Sequence, residues 1–464
     1  VEHSRADGHR TDSPGRGGSA GVPADQATVR RSNLALVLRH VSAYGPCSRS
    51  AVAVATGLNK TTVTSLVSEL QARGLVKETG PQHAGSVGRP SVALVLDGSR
   101  IGALGVEVNV DYIAAFATDL AGRVLADRRI GFDAMGSSPE RSLDELALMV
   151  ERTVADLDRL GVALAGITVA VPGLIDTNTG TVVVAPNLGW HGVAVAERLS
   201  QADIRASIPI AVDNDANLAA LAEFTSGVAA GTPDLVYLTG EVGVGGGIIS
   251  GGRLLSGADG FAGEVGHVMV DPSGERCRCG RIGCWETKVG LAALVRMATP
   301  DRAYGTGGQV VRDPEERLAE IEQRWAEGDP RVDAALAKVG RWLGRGAAVL
   351  VNLFNPRVIV LGGYFAKLAD RIVPAAREEM AGLGMTGAAD RCRFVASNLG
   401  FGAASRGAAG VVVERALSDP TAIAIRHPSH PWRREEPPDD PSVPTPRWTP
   451  PVRRPAPAPS PASI

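Results

Sequence analysis

The sequence predicts an α/β protein in which a small winged helix-turn-helix module precedes a two-lobed body, and three observations carry that expectation. In residues 26–98 two helical patterns flank a glycine turn, and two short strand patterns follow. In residues 99–418 apolar strand-like runs alternate with helical periodicity, over a length too great for one small doubly wound sheet. Charge divides along the same line. Residues 26–100 carry nine Lys and Arg against three Asp and Glu, whereas residues 101–418 carry 30 against 38. A compact basic segment on an acidic body is the footprint of a nucleic-acid reader attached to something else.

The wider composition fits. At roughly 150 residues per domain, 464 residues suggest about three domains and a sizeable core. No stretch approaches the 18 or so unbroken apolar residues of a membrane span, so a membrane partner is not expected. Residues 1–25 mix Gly, Ser, Asp and Arg without an apolar core, which predicts a disordered N-terminal tail, no export signal and a cytoplasmic location. From Asp419 to Ile464 there are 14 of the 30 prolines, and a Pro-rich disordered tail is expected there, with a polyproline ligand as the alternative.

Within the basic module, Leu34, Val37, Leu38 and Val41 fall at i, i+3, i+4 and i+7, one buried helical stripe from about Arg30 to Tyr44. Ser48 can cap a second, short helix that stops at Gly57, and Asn59 can cap a third ending near Gly74. Val63, Leu66, Val67 and Leu70 give the third helix its apolar side. Its other face begins Lys60, Thr61, Thr62, Thr64 and Ser65, short polar groups of the kind a recognition helix presents to a major groove. Leu75–Glu78 and Val92–Leu96 read as the strands of a wing, and Arg89 in Gly88-Arg89-Pro90 suits a narrow minor groove. The competing reading is a three-helix module for protein contacts.

In the body, strands are expected at Gly102–Val108, Ile113–Thr118, Gly166–Val171, Ile208–Val212, Leu235–Thr239, Gly247–Ser250 and Val358–Leu361. Helices are expected at Ser142–Leu160, Ala216–Thr225 and Val332–Asn355. His267, Cys277, Cys279 and Cys284 supply the donors of a Cys3His zinc site, with Gly280 and Gly283 letting the loop fold back. A closed four-ligand set is structural, and its task is to hold its neighbours. Those neighbours include Glu264 and Glu286, two carboxylates suited to the hydroxyls of a sugar. At the strand-to-helix junction Asp213-Asn214-Asp215, a carboxylate is either a hydroxyl acceptor and general base or merely the helix cap.

Together these residues resemble the ROK family of repressors, open reading frames and sugar kinases, and specifically its transcriptional regulators. The resemblance covers about residues 28–415: the winged helix, Val171-Pro172-Gly173-Leu174, Pro186-Asn187-Leu188-Gly189-Trp190, Asn214-Asp215, the Gly245-Gly246-Gly247 loop, the zinc motif and Leu361-Gly362-Gly363. It implies an actin-like, sugar-kinase-like fold with a sugar in the cleft. By that resemblance Gly173, Asn187, Asn214, Asp215, Glu264, His267 and Glu286 contact the sugar, and Asp215 matches the kinases' general base. The phosphate side departs from the family pattern. Family kinases carry Asp-x-Gly-Gly-Thr where this chain has Glu107-Val108-Asn109-Val110-Asp111, and Gly-Thr-Gly where it has Glu241-Val242-Gly243. Lost glycines keep the backbone away from phosphate, and added carboxylates repel it.

The expectation is therefore a sugar-responsive regulator, a repressor of carbohydrate genes, without kinase activity and with structural zinc. It would read an inverted-repeat DNA operator as a homodimer or tetramer. A sugar kinase with a DNA-binding appendage, and an interaction protein that uses neither DNA nor sugar, are the alternatives.

Overall fold

The computed structural model describes residues 25–82, 91–202, 208–299, 314–385 and 387–424. The first helix, Gln26–Tyr44, begins a turn earlier than expected because the Asp25 side chain accepts the Thr28 amide at 2.7 Å. Its buried stripe is Leu34, Val37, Leu38 and Val41. Ser48 caps Arg49–Thr56, which ends at a left-handed Gly57, and Asn59 caps Lys60–Ala72. Val76–Gln82 and Ser91–Leu96 pair antiparallel as the wing. Leu94 also exchanges backbone hydrogen bonds with Cys47, which pins the wing to the start of the second helix. Arg89 lies outside the described residues.

The module is not sealed off at residue 98, nor does the folded chain stop at Ser418. Ile101, Leu120, Ala416 and Ile423 share one apolar cluster with Leu34, Leu38, Leu66 and Leu70. This corrects the expected tail boundary: Pro420–Ala422 forms a 3-10 turn capped by Asp419, and Ile423 is buried against the module. The Arg73 guanidinium donates to the carbonyls of Thr421 and Ile423, so the end of helix Lys60–Ala72 holds this segment. An apolar side chain just past a helix end gains by covering a core edge, and this outweighs the local proline content. The rest of the expected C-terminal tail, and residues 1–24, lie outside the described residues.

The body is two lobes. The first contains a five-stranded sheet in the order Ile210–Asn214, Ala163–Val171, Ile101–Val108, Tyr112–Asp119, Val124–Gly131. Its first three strands run parallel, and the outer two are antiparallel. Helix Pro139–Arg159 covers one face, and a three-stranded sheet (Leu174–Asp176, Thr181–Ala185, Trp190–Ala194) follows it toward the cleft. The second lobe contains the order Arg253–Leu254, Val244–Ser250, Leu235–Gly240, Val358–Gly362, Arg393–Ala396. Helices Leu291–Ala298, Pro330–Phe354 and Ala369–Leu383 build its main core. Gly245 and Gly246, read as loop ahead of the expected strand Gly247–Ser250, belong to that strand: each pairs across to Leu235–Gly240. Among the described residues, no helix is long and apolar enough to cross a membrane.

Helix Ala403–Ser418 lies against the first sheet and beside Asp215–Thr225. The approach is close enough that a Cβ on Gly407 would sit 1.9 Å from the Leu218 carbonyl oxygen. It carries small residues on nearly every side, so it has no single apolar stripe.

Candidate functional site

Between the lobes is a cleft of about 420 Å³. It brings together all of the expected sugar-side residues: Gly173, Asn187, Asn214, Asp215, Glu264, His267 and Glu286. Asn214 is the cap of helix Asp215–Thr225, accepting the Asn217 amide at 3.0 Å, while its Nδ2 donates to the Gly173 carbonyl at 3.0 Å. This resolves the ambiguity at the junction. The neighbouring asparagine satisfies the helix, so the Asp215 carboxylate, which takes the Ala216 amide at 2.8 Å, faces the cleft. Desolvation in the cleft raises Asp215 to about 6, against backbone amides that lower it. Glu286 and Asn187 converge over Gly243, where a Cβ would meet Glu286 Oε2 at 2.5 Å and Asn187 Nδ2 at 2.8 Å.

The metal loop closes one side of the cleft. One donor atom from each of His267, Cys277, Cys279 and Cys284 lies within 4.8 Å of the others. Cys279 and Cys284 sulfurs are 3.6 Å apart, and Cys277 Sγ is 3.6 Å from His267 Nδ1. A tetrahedron with zinc–sulfur bonds of about 2.3 Å has edges of roughly 3.7 Å, so the donor set fits that ion. His267 would bind through Nδ1, leaving Nε2 turned toward the Glu264 carboxylate at 3.8 Å, a group that can orient the ring. Glu286 Oε1 lies 2.7 Å from Cys277 Sγ. Trp285, buried, donates to the Trp342 carbonyl at 2.8 Å and fastens the loop to helix Pro330–Phe354.

The opposite side of the cleft is closed by side chains. Asn109 Nδ2 donates to Glu107 Oε1 at 3.0 Å and, across the lobes, to Glu241 Oε2 at 2.7 Å. The Tyr112 hydroxyl donates to Glu107 Oε1 at 2.6 Å and reaches the Phe401 carbonyl at 3.3 Å. Two further links join the lobes here, Asp111–Arg317 at 3.2 Å and Arg129–Glu315 at 2.9 Å. Burial pushes Glu107 up to about 7, opposed by the Tyr112 and Asn109 hydrogen bonds. Burial, then the charges of Glu107, Asp215 and Asp111, hold Glu241 well above the usual carboxylate range. Asn109, Asp111 and Glu241, three of the positions at which the sequence differs from the kinase motifs, are thus among the residues that tie the lobes together.

In the basic module, Asn59, Lys60, Thr61, Thr64 and Ser65 are exposed and Thr62 is half-buried, so the polar face expected to meet a groove is open to solvent. Asn59 accepts the Thr62 amide at 2.7 Å, and the Thr64 hydroxyl donates to the Lys60 carbonyl at 2.9 Å.

Sequence reasoning missed His191, Thr239, Arg278 and Arg281, which also line the cleft. The two arginines had a signal: they sit inside the cysteine motif, so the fold of that loop fixes them. His191 and Thr239 had none, because sheet pairing alone brings them there.

The ROK family model matches residues 103–415, and the MarR family model matches residues 35–85. A xylose repressor of Bacillus spizizenii is 31% identical over 395 residues, spanning 85% of this chain and 98% of its own. The DNA-binding transcriptional dual regulator NagC of Escherichia coli is 31% identical over 351 residues, spanning 75% and 84%. Among solved structures, a ROK family transcriptional regulator described as a homologue of the E. coli MLC protein superposes with a TM-score of 0.70 at 26% identity, covering 85% of this chain and 98% of its own. A ROK family glucokinase of Streptomyces griseus, solved with glucose and AMPPNP, gives a TM-score of 0.56 at 29% identity, covering 67% and 98%. With a helix-turn-helix ahead of the two lobes and the family model spanning both of them, this chain belongs to the ROK family.

Proposed function

We propose that this protein is a sugar-responsive, DNA-binding transcriptional regulator, a repressor of carbohydrate uptake or catabolism genes, whose body senses sugar without phosphorylating it. The observation that supports it best is the asymmetry of one cleft. Its sugar side presents the Asp215, Glu264 and Glu286 carboxylates to open volume, whereas its other side is spanned by the Asn109–Glu241 hydrogen bond. Relatives named as xylose repressor and as NagC point the same way.

In this reading Asp215 and Glu286 accept sugar hydroxyls, Asn187 donates, and Glu264 and His267 line the next face. Zinc, when bound, neutralises the thiolates and fixes the loop that carries these groups. Asn59, Lys60, Thr61, Thr62, Thr64 and Ser65 enter the major groove, Arg89 an A·T-rich minor groove, and two copies of the chain read an inverted repeat.

Helix Ala403–Ser418 is the proposed route between the sites. Tyr112, on the cleft network, bonds to the Phe401 carbonyl just before that helix, and Glu414 near its end pairs with Arg39 of the module. Because coupling is reciprocal, DNA must weaken sugar binding by the same factor by which sugar weakens DNA binding.

The test is retention of genomic DNA by the purified protein, then release by a sugar panel. Enrichment of an inverted repeat beside sugar genes, released by a sugar from wild type but not from Glu286→Ala, is expected. DNA retained equally with every sugar removes the sensor role. The kinase reading rests on Asp215, already poised as a base. ATP turnover with any hexose, abolished by Asp215→Asn, establishes it; none is expected.

A further inference from the structure

The metal loop carries more positive charge than its own structure uses. From Arg276 to Arg296 it holds five basic side chains. Three are engaged locally: Arg276 donates to the Gly280 carbonyl at 2.9 Å, Lys288 meets Asp271 at 2.7 Å, and Arg296 meets Glu275 at 2.8 Å. The other two, Arg278 and Arg281, line the cleft, and neither pairs with a carboxylate among the described residues. Arg278 reaches instead to the Met135 sulfur at 2.6 Å, on the opposite lobe.

Their placement is not that of a loose surface arginine. Cys277 donates its amide to the Arg281 carbonyl at 2.8 Å, and Gly280 donates to the Cys277 carbonyl at 2.9 Å, so a tight turn anchored by a metal ligand carries both. Both are exposed, at the solvent side of the cleft, while the Glu286 side chain is recessed to 9% exposure. The cleft is therefore divided: acceptors for hydroxyls lie inside, and two unspent guanidinium groups stand at the rim with His191. A neutral sugar satisfies the acceptors and leaves both cations idle. The far side offers an anion no place, because the Asn109–Glu241 hydrogen bond already spans it.

We propose that the effector is a sugar bearing an anionic substituent, a phosphate ester or a carboxylate, held by Arg278 and Arg281 at the cleft rim. This rests on the sugar-sensor reading. Guanidinium suits either anion through paired, charge-assisted hydrogen bonds, and both arginines are available without breaking an ion pair.

The experiment is calorimetric titration of the full-length, zinc-loaded protein with matched sugars: glucose, galactose, mannose and N-acetylglucosamine, their 6-phosphates, and the corresponding hexuronates. In at least one series an anionic form is expected to bind about 10- to 100-fold more tightly than its neutral parent, with the gain shrinking as salt rises. Arg278→Ala/Arg281→Ala should collapse that ratio toward one at unchanged zinc content. The preference between ester and uronate identifies the anion's source. A neutral parent that binds as tightly as both anionic forms in every series overturns the proposal and leaves the sensor intact, as does a ratio that survives the double variant. If no sugar binds wild type, neutral or anionic, the sensor reading fails together with it.

Discussion

The two sides of the interlobe cleft are built from the same kinds of side chain, yet they are used in opposite ways. On the metal-loop side, Asp215, Glu264 and Glu286 line open volume, and a neighbouring asparagine or a histidine carries the local structural duty. On the other side, Glu107 and Glu241 are spent on Asn109 and Tyr112, and Asp111 on Arg317. A carboxylate facing volume can exchange water for a ligand hydroxyl at little cost. One already bonded inside the protein can do so only by losing its partner. The difference separates a side whose carboxylates face open volume from a side whose carboxylates form an interlobe clasp.

The largest expected effect comes from breaking the open side at its root. Zinc binding to such a donor set couples on the order of 10 kcal/mol to local folding. Chelation, or Cys284→Ser at a fully buried sulfur, should abolish the sugar response and release the loop that carries Glu286. The reading head should be spared, because its core is a separate cluster built on Leu34, Leu38 and Leu66. The readout is sugar affinity and DNA affinity on one metal-free sample. Sugar binding that survives would show that the acceptors are positioned without the metal.

How much of this was legible in the sequence follows the same division. The winged module was readable almost residue by residue, because Ser48, Gly57, Asn59 and the stripe Val63, Leu66, Val67, Leu70 each obey a local rule. The open side was readable because its residues lie in short motifs. The clasp was not, since Asn109 and Glu241 are 132 residues apart and only sheet topology brings them together. Sequence pointed to loops without the kinase family's glycines there, but not to Arg317 and Glu315, on a helix with no motif, which complete the links. Helix Ala403–Ser418 was also missed. Packed on several sides, it has no apolar stripe to betray it, and Gly407 is explained only by its contact with Leu218.

A middle-sized effect tests whether the clasp is internally satisfied in its protonated form. Glu107 has an ordinary value of 4.5 and is pushed to about 7 by burial. Between those limits the folded protein keeps a proton that the unfolded chain has released, so stability is full below about pH 4.5 and is lost as pH rises through 7. The loss is on the order of 3 kcal/mol. Glu107→Gln, which preserves the oxygen that Tyr112 and Asn109 bond, should flatten most of this decline in denaturant titrations at pH 5 and 8. Asp215, raised to about 6, contributes in the same direction, so a smaller slope should persist. A variant with the wild-type slope would move the titrating proton to Glu241.

The smallest energetic effect carries the sharpest functional question, whether the two sides of the cleft speak to the DNA-binding end at all. Arg39 bonds both Glu414 and Ser418 at the end of the helix that starts beside the clasp. Both members of the ion pair are about half exposed, 48% and 57%, so it contributes only about 0–1 kcal/mol to stability. Glu414→Ala should accordingly leave the unfolding midpoint almost unchanged. It should nonetheless reduce the factor by which sugar alters DNA affinity, since it removes a contact between the lobes' helix and the module. Arg39→Ala should reduce it equally, and the double variant no further, which is the signature of one shared interaction in a double-mutant cycle. Additive losses would mean that each residue acts through a different neighbour. An unchanged coupling factor in all three would transfer the role to the buried Ile423 contact, where Arg73 holds the chain against the reading helix.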